Sequence, residues 1–158
     1  MNSSDLQTFI DREQIEAEIM ILDGHTPTVE DAARELSVAT GQIIKSLVFS
    51  IRDEPLLVIN NGTARVDRRK LAKYLAVGRK RVRFAAPEQA LEITGYVVGS
   101  MPPFGHRTRL RTLVDGEVSE QAEIFGGGGD LNAMMRLAPA ELIRVTGAEI
   151  VSLSEAGA

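Results

Sequence analysis

Hydrophobic positions change period several times along the chain, and each change marks an element. Leu6, Phe9, Ile10, Glu13 and Ala17 trace a partly apolar helical face and predict a first helix over residues 4–20. Pro27 and Thr28 open a second, where Thr28 and Asp31 have the spacing of a capping box ahead of Ala32, Ala33 and Leu36. The pattern then shortens. Leu47, Val48, Phe49 and Ile51, followed after residues 53–55 by the apolar run 56–59, predict two strands joined by a short turn. Asp67 is placed to cap a helix carrying Leu71, Tyr74 and Leu75, and Pro87 suits the first position of a helix that Gly95 ends. Residues 109–114, 122–125 and 133–137 predict further strands. Pro139 opens a short helix closed by Gly147, and Ile150 and Val151 add a final strand. Short strands without regular alternation with helices favour an α+β sheet or barrel over a doubly wound fold.

At 158 residues, 44% of them hydrophobic, the chain fits one domain over 1–158 with a core of ordinary size. It contains no cysteine, which excludes a disulfide, a thiol nucleophile, cysteine-held zinc and an iron–sulfur cluster, and suits a reducing cytosol. No apolar run approaches the roughly 18 residues that span a bilayer, and the first residues lack the pattern of a secretory signal, so a cytoplasmic protein without a membrane partner is expected. With no Trp, five Phe and two Tyr, the chain has little material for a platform that stacks many successive bases.

Charge changes the picture more than composition does. The net charge is −4, yet residues 65–83 carry Arg65, Arg68, Arg69, Lys70, Lys73, Arg79, Lys80, Arg81 and Arg83 against one acid, Asp67. A basic segment on an acidic chain is the footprint of a local polyanion site, and Arg107, Arg109 and Arg111 are placed to extend it. A solvated helix face explains the same charges equally well. RNA held there would dissociate steeply with added salt.

Four features carry candidate chemistry. Residues 99–106, Gly-Ser-Met-Pro-Pro-Phe-Gly-His, form a glycine and proline loop able to present backbone N–H groups to a carbonyl or phosphate oxygen; by itself the pattern is a surface turn. Lys45 interrupts an apolar run where a strand begins, either snorkelling to solvent or standing as a cation in a pocket. The glycines at 126–129 precede Asp130 but lack the lysine and hydroxyl of a nucleotide-binding loop, which leaves a turn between strands or a pocket wall. His25 and His106 are the only histidines, and their separation gives no metal-ligand spacing, so neither metal nor cofactor is expected. His106 beside the loop is a base, a ribose contact or a turn residue, and a lone histidine with no partner of known proximity argues against the base.

Together these pieces resemble the YbaK/EbsC family, free-standing relatives of the editing domain inserted in bacterial prolyl-tRNA synthetases. The similarity runs from about His25 to Val151 on TVEDAA (28–33), IKSLVF (44–49), Gly95-Tyr96 ahead of the loop at 99–105, LVD (113–115) and the glycines at 126–129. The resemblance implies a mixed, largely antiparallel sheet or barrel surrounded by helices. It implies a hydrolase that removes wrongly attached amino acids from tRNA in trans, tRNA-Pro carrying Cys or Ala or a related mischarged tRNA. Lys45 is then the functional hallmark, and Gly99, Pro103 and Gly105 line the ester pocket. Ser46 stands where the YbaK branch has threonine and the alanine-specific branch asparagine, and its hydroxyl favours the YbaK side. Gly127 and Asp130 fall beside the pocket, with Asp130 set to meet the substrate's α-amino group, and His25 falls near its rim. Arg65, Arg68, Arg69, Lys70, Lys73, Arg79, Lys80 and Arg81 would contact tRNA. Aminoacyl-tRNA is the implied partner and prolyl-tRNA synthetase a possible second; DNA is not expected. A module that binds RNA or a synthetase without turnover is the alternative. The amino acid, the tRNA and the oligomeric state are not set by these residues.

Overall fold

A computed structural model describes residues 1–155, which form six α-helices and eight strands: α1 (Ser3–Arg12), β1 (Ala17–Ile21), α2 (Val29–Leu36), β2 (Ile44–Ile51), β3 (Glu54–Asn61), α3 (Arg68–Leu75), β4 (Val82–Phe84), α4 (Pro87–Thr94), β5 (Thr112–Asp115), α5 (Gly116–Ser119), β6 (Ile124–Gly127), β7 (Ala133–Leu137), α6 (Pro139–Thr146) and β8 (Glu149–Val151). The fold is mixed α+β. Its strands lie in two sheets, ordered β1-β7-β6 and β4-β2-β3-β5-β8, rather than in a closed barrel. Four of the six strand pairings are antiparallel; β3 with β5 and β5 with β8 are parallel, each reached by a crossover that contains a helix.

Local chemistry explains the boundaries that the sequence announces. Thr28 Oγ1 accepts the Asp31 N–H at 3.0 Å, the forward half of the expected box, while the Asp31 carboxylate turns to Arg34 instead. Asp67 takes the N–H groups of Arg69 and Lys70, Pro87 and Pro139 stand at helix starts, and Gly95 and Gly147 end α4 and α6 with φ of 86° and 65°. Arg52 and Asp53, both at positive φ, make the two-residue turn that sets β2 against β3 from Ile44 opposite Asn61 to Ile51 opposite Glu54.

Several boundaries differ from expectation. The helix predicted over 4–20 stops at Arg12: Gln14 turns left-handed at φ 53°, and Ala17–Ile21 pairs along its whole length with β7, a ladder that outweighs the helical spacing of Leu6 to Ile10. The strand expected at 109 begins at Thr112. The strand expected over 122–125 instead covers Ile124–Gly127, because Gly126 and Gly127 pair with Met135 and Met134. Two short elements were not anticipated: β4, hidden in the cation run, and α5, whose Asp115 cap reads like the end of a strand.

One face of the larger sheet, through Val48, Leu57 and Ile59, joins α1, α6 and Tyr96 in the main core. The other, through Phe49, Leu56 and Val58, is covered by Leu71 and Ala72 of α3. A third cluster sets Ala32 and Ala33 of α2 against Ile43 and Phe125. The sheets meet where Ile43 bridges Phe125 in parallel sense, and that junction positions the site.

Candidate functional site

Strand alternation decides where Lys45 points. Ile44 turns inward and packs on Gly126, where an added Cβ would lie 3.1 Å from the Ile44 side chain. Its neighbours Ile43 and Lys45 therefore share the opposite face, Ile43 under α2 and Lys45 exposed. Phe125 shares the α2 cluster with Ile43, so alternation along β6 puts Gly127 on this outer face too. Lys45 has no acidic partner among the described residues. Opposite it on β3, buried Asn60 accepts from Ser154 Oγ and donates to the Ala64 carbonyl, so its side chain is committed elsewhere. Ser46, half-buried, lies on the Ile44 side of the strand.

The loop at 99–106 is held rigid at its neck. Arg107 N–H donates to the Thr94 carbonyl and Thr108 N–H to that of Ile93, the Tyr96 N–H donates to Thr94 Oγ1, and the Tyr96 and His106 rings meet edge-on at 6.2 Å. The Gly129 N–H donates to the Ser100 carbonyl at 2.9 Å. A Cβ on Gly127 would overlap the Met101 carbonyl oxygen and lie 2.9 Å from that of Ser100. The glycine run is thus the surface on which the loop rests, and two segments nearly thirty residues apart form one wall, with Gly127 on the face of the sheet that Lys45 shares. Among the described residues the N–H groups of Met101, Phe104 and Gly105 meet no protein acceptor. Donors of this kind can stabilise a developing oxyanion.

The loop is also a partition. Its Gly99 end adjoins Leu131, while Gly105, at φ 76°, packs against Leu6 and Phe9 of α1, where a Cβ would be strained by the backbone and would lie 3.2 Å from the Phe9 ring. Pro103 and His106, with Phe9, Arg109 and Arg144, line a cavity of about 300 Å³ on the α1 and α6 side. Lys45 does not line that cavity. The sequence-predicted residues of the loop are hence spread along it: Gly99 lies at Leu131, Pro103 reaches from Gly126 at the sheet junction to the cavity, and Gly105 and His106 face α1. Spacing gave no sign of this cavity, because its walls come from both ends of the chain.

Asp130 is engaged by the chain itself: Ser3 N–H donates to its carboxylate at 3.0 Å, and the Ser3 hydrogen bonds hold its titration below the ordinary aspartate value. His25 is exposed in the segment between β1 and α2. Tyr96 is fully buried, burial pushes its phenol up to about 12, and its hydroxyl has no partner among the described residues. Asp115, 2% exposed, accepts from the N–H groups of Glu117, Leu153 and Ser154, which accounts structurally for the LVD marker.

His106 Nε2 lies 2.7 Å from the Pro102 carbonyl, and donation there leaves Nδ1 free. Burial lowers its titration below the usual histidine value, against a smaller opposing pull from that carbonyl. Because the folded state holds the proton less tightly than the unfolded one, this histidine's contribution is present above about pH 6.5 and is lost as pH falls toward the depressed folded value. Denaturant midpoints between pH 5 and pH 7 should therefore vary less in His106→Gln than in wild type. Equal variation in the two proteins would show that His106 does not couple folding to pH.

The basic residues gather around α3 and the turn Arg79–Arg81 that leads into β4. Arg65, Arg68, Arg69, Lys73, Arg79, Lys80 and Arg81 are exposed, and none has an acidic side-chain partner among the described residues. Lys70 is partly withdrawn, donating from Nζ to the Ser154 carbonyl at 2.7 Å. Arg107 and Arg111 are tied to the Glu92 carbonyl and the Glu149 carboxylate. Among the described residues no group of three or more His, Asp or Glu is gathered to hold a metal ion.

Fold and site together define a small α+β domain with an uncompensated lysine, a backbone-lined wall that shares its sheet face through Gly127, and a cationic face on α3. The model of the aminoacyl-tRNA editing domain family matches residues 23–145, and the chain belongs to that family. It is 27% identical over 143 residues to the uncharacterized protein YwhH of Bacillus subtilis, covering 90% of this chain and 89% of that one. It is 36% identical over 107 residues to the proline–tRNA ligase of Thermosipho melanesiensis, covering 66% of this chain but 18% of the ligase, to whose prolyl-tRNA ligase insertion domain it is homologous. A solved structure described as a proposed trans-editing enzyme for prolyl tRNA synthetase superposes with a TM-score of 0.90 at 30% identity, covering 97% of this chain and 96% of that one.

Proposed function

We propose that this protein is an aminoacyl-tRNA deacylase acting in trans on mischarged tRNA, with tRNA-Pro carrying Cys or Ala as the first candidates. The observation that carries the reading is the exposed, acid-free Lys45 on the face it shares with Gly127, the glycine that packs on Ser100 and Met101. An aminoacyl ester is already reactive, so positioning and oxyanion stabilisation are sufficient tasks for the site. Water adds to the ester carbonyl carbon and the carbonyl oxygen becomes an oxyanion. The intermediate collapses with loss of the ribose oxygen, which takes up the proton that water gave. Free amino acid and tRNA with its terminal hydroxyl restored are the products. Lys45 holds the adjoining phosphate or the oxyanion, backbone N–H groups of the loop supply further donors, and the α3 face holds the RNA.

The test is a panel of tRNAs charged with alanine, cysteine or serine, incubated with the purified protein and followed for loss of the ester. Hydrolysis of at least one, with correctly charged prolyl-tRNA spared, is the expected result. Binding without turnover across the panel would replace this reading with that of a non-catalytic RNA-binding module.

A further inference from the structure

The cationic face has an aromatic feature that charge counting passes over. Phe84 ends β4, an edge strand, and is 51% exposed although it is a phenylalanine. Its pairing partner on β2 is Phe49, fully buried, and the two rings stack with centroids 4.5 Å apart. The Arg68 guanidinium lies 4.9 Å from the centre of the Phe84 ring. Phe49, Phe84 and Arg68 thus make a short stack whose lowest member is anchored in the core and whose upper members reach solvent. Lys80, Arg81 and Arg83, all exposed, precede Phe84 in the chain, and Arg68, Arg69 and Arg79 line one shallow groove together with Asp67 and Glu155.

We propose that Phe84 and Arg68 form a stacking site for one unpaired nucleobase of the bound RNA, within the nucleotides adjoining its acylated end. This rests on the deacylase reading above and adds a subsite to it. Three observations converge. An aromatic face and a guanidinium plane are the two surfaces on which unstacked bases are held. The surrounding cations have no acidic side-chain partners, which suits a phosphate backbone more than an apolar protein surface. Lys45 and Phe49 share one face of β2 four residues apart, a span of about 13 Å, so Phe84 beside Phe49 lies within reach of the nucleotides next to an ester at Lys45. Inside a base-paired stem each base is already stacked on both faces and held by its partner, whereas an unpaired nucleotide can turn its base onto the site, so the site favours a single-stranded end.

The chain has no tryptophan, so Phe84→Trp installs a unique fluorophore at the site. The probes are an RNA hairpin with a single-stranded 3′ end, the same stem with a blunt end, the overhang hairpin with abasic nucleotides, and heparin. The expected result is quenching by the overhang hairpin only, with Phe84→Leu weakening its binding about tenfold relative to wild type while the blunt stem is unaffected. Salt-dependent binding of the overhang hairpin without quenching, or equal quenching by the abasic RNA or heparin, overturns the stacking site and leaves the RNA-binding reading in place. Absence of salt-dependent binding by wild type to any of the RNAs removes both.

Discussion

Lys45→Ala will lower the rate of single-turnover deacylation about 100-fold or more on any tRNA that the wild type cleaves, and will leave thermal stability nearly unchanged. The two halves of this expectation have separate causes. Lys45 is exposed and makes no ion pair among the described residues, so its truncation falls with surface substitutions, within about 0.5 kcal/mol of wild type. Its removal from a site that must hold an ester oxygen or a phosphate deletes an electrostatic contact of the size commonly lost with an oxyanion donor, about 10² to 10³ in rate. Lys45→Arg keeps the charge but replaces a compact ammonium with a planar fork, and should recover only part of the rate. A rate for Lys45→Ala equal to that of wild type would show that the exposed lysine is a snorkelling side chain and would move the chemistry elsewhere.

The terminators of the fold were readable because they act over three or four residues: Asp67, Pro87, Gly95, Pro139 and Gly147 sit where their capping chemistry places them. β1 was hidden for the opposite reason. Nothing within residues 17–21 names the partner, β7, whose ladder overrides the continuation of the first helix. In the candidate site, residue type and the family resemblance single out Lys45 and the 99–106 loop. The spread of that loop from the glycine run to α1 was not legible, because it depends on Gly105 meeting Phe9 and on Gly127 meeting Met101, both long-range packings. Asp130 shows the same limit. Its carboxylate is capped by Ser3, over a hundred residues earlier in the chain, and no spacing rule connects the two. Phe84 follows the cation run directly, yet nothing in that spacing marks it, and only the pairing of β4 with β2 sets it on Phe49.

Gly127→Ala carries the second large expected effect, and it separates a positioned wall from a passive turn. The added methyl would overlap the Met101 carbonyl, which is backbone and cannot rotate away as a flexible side chain would. The strand and the loop must therefore separate. Overpacking of this kind costs about 2 to 3 kcal/mol, which for a chain of this length lowers the melting temperature by roughly 5 to 10 °C. Deacylation assayed well below the new melting temperature should fall about 100-fold, since displacement of a positioning segment by 1 Å is enough for a loss of that size. Gly78→Ala is the control: no heavy atom lies within 4 Å of the site its Cβ would occupy and its φ is negative, so stability and rate should both stay near wild type. A Gly127→Ala protein that melts earlier yet deacylates at the wild-type rate would mean that the loop can shift without consequence for the ester, and that Lys45 works without that wall.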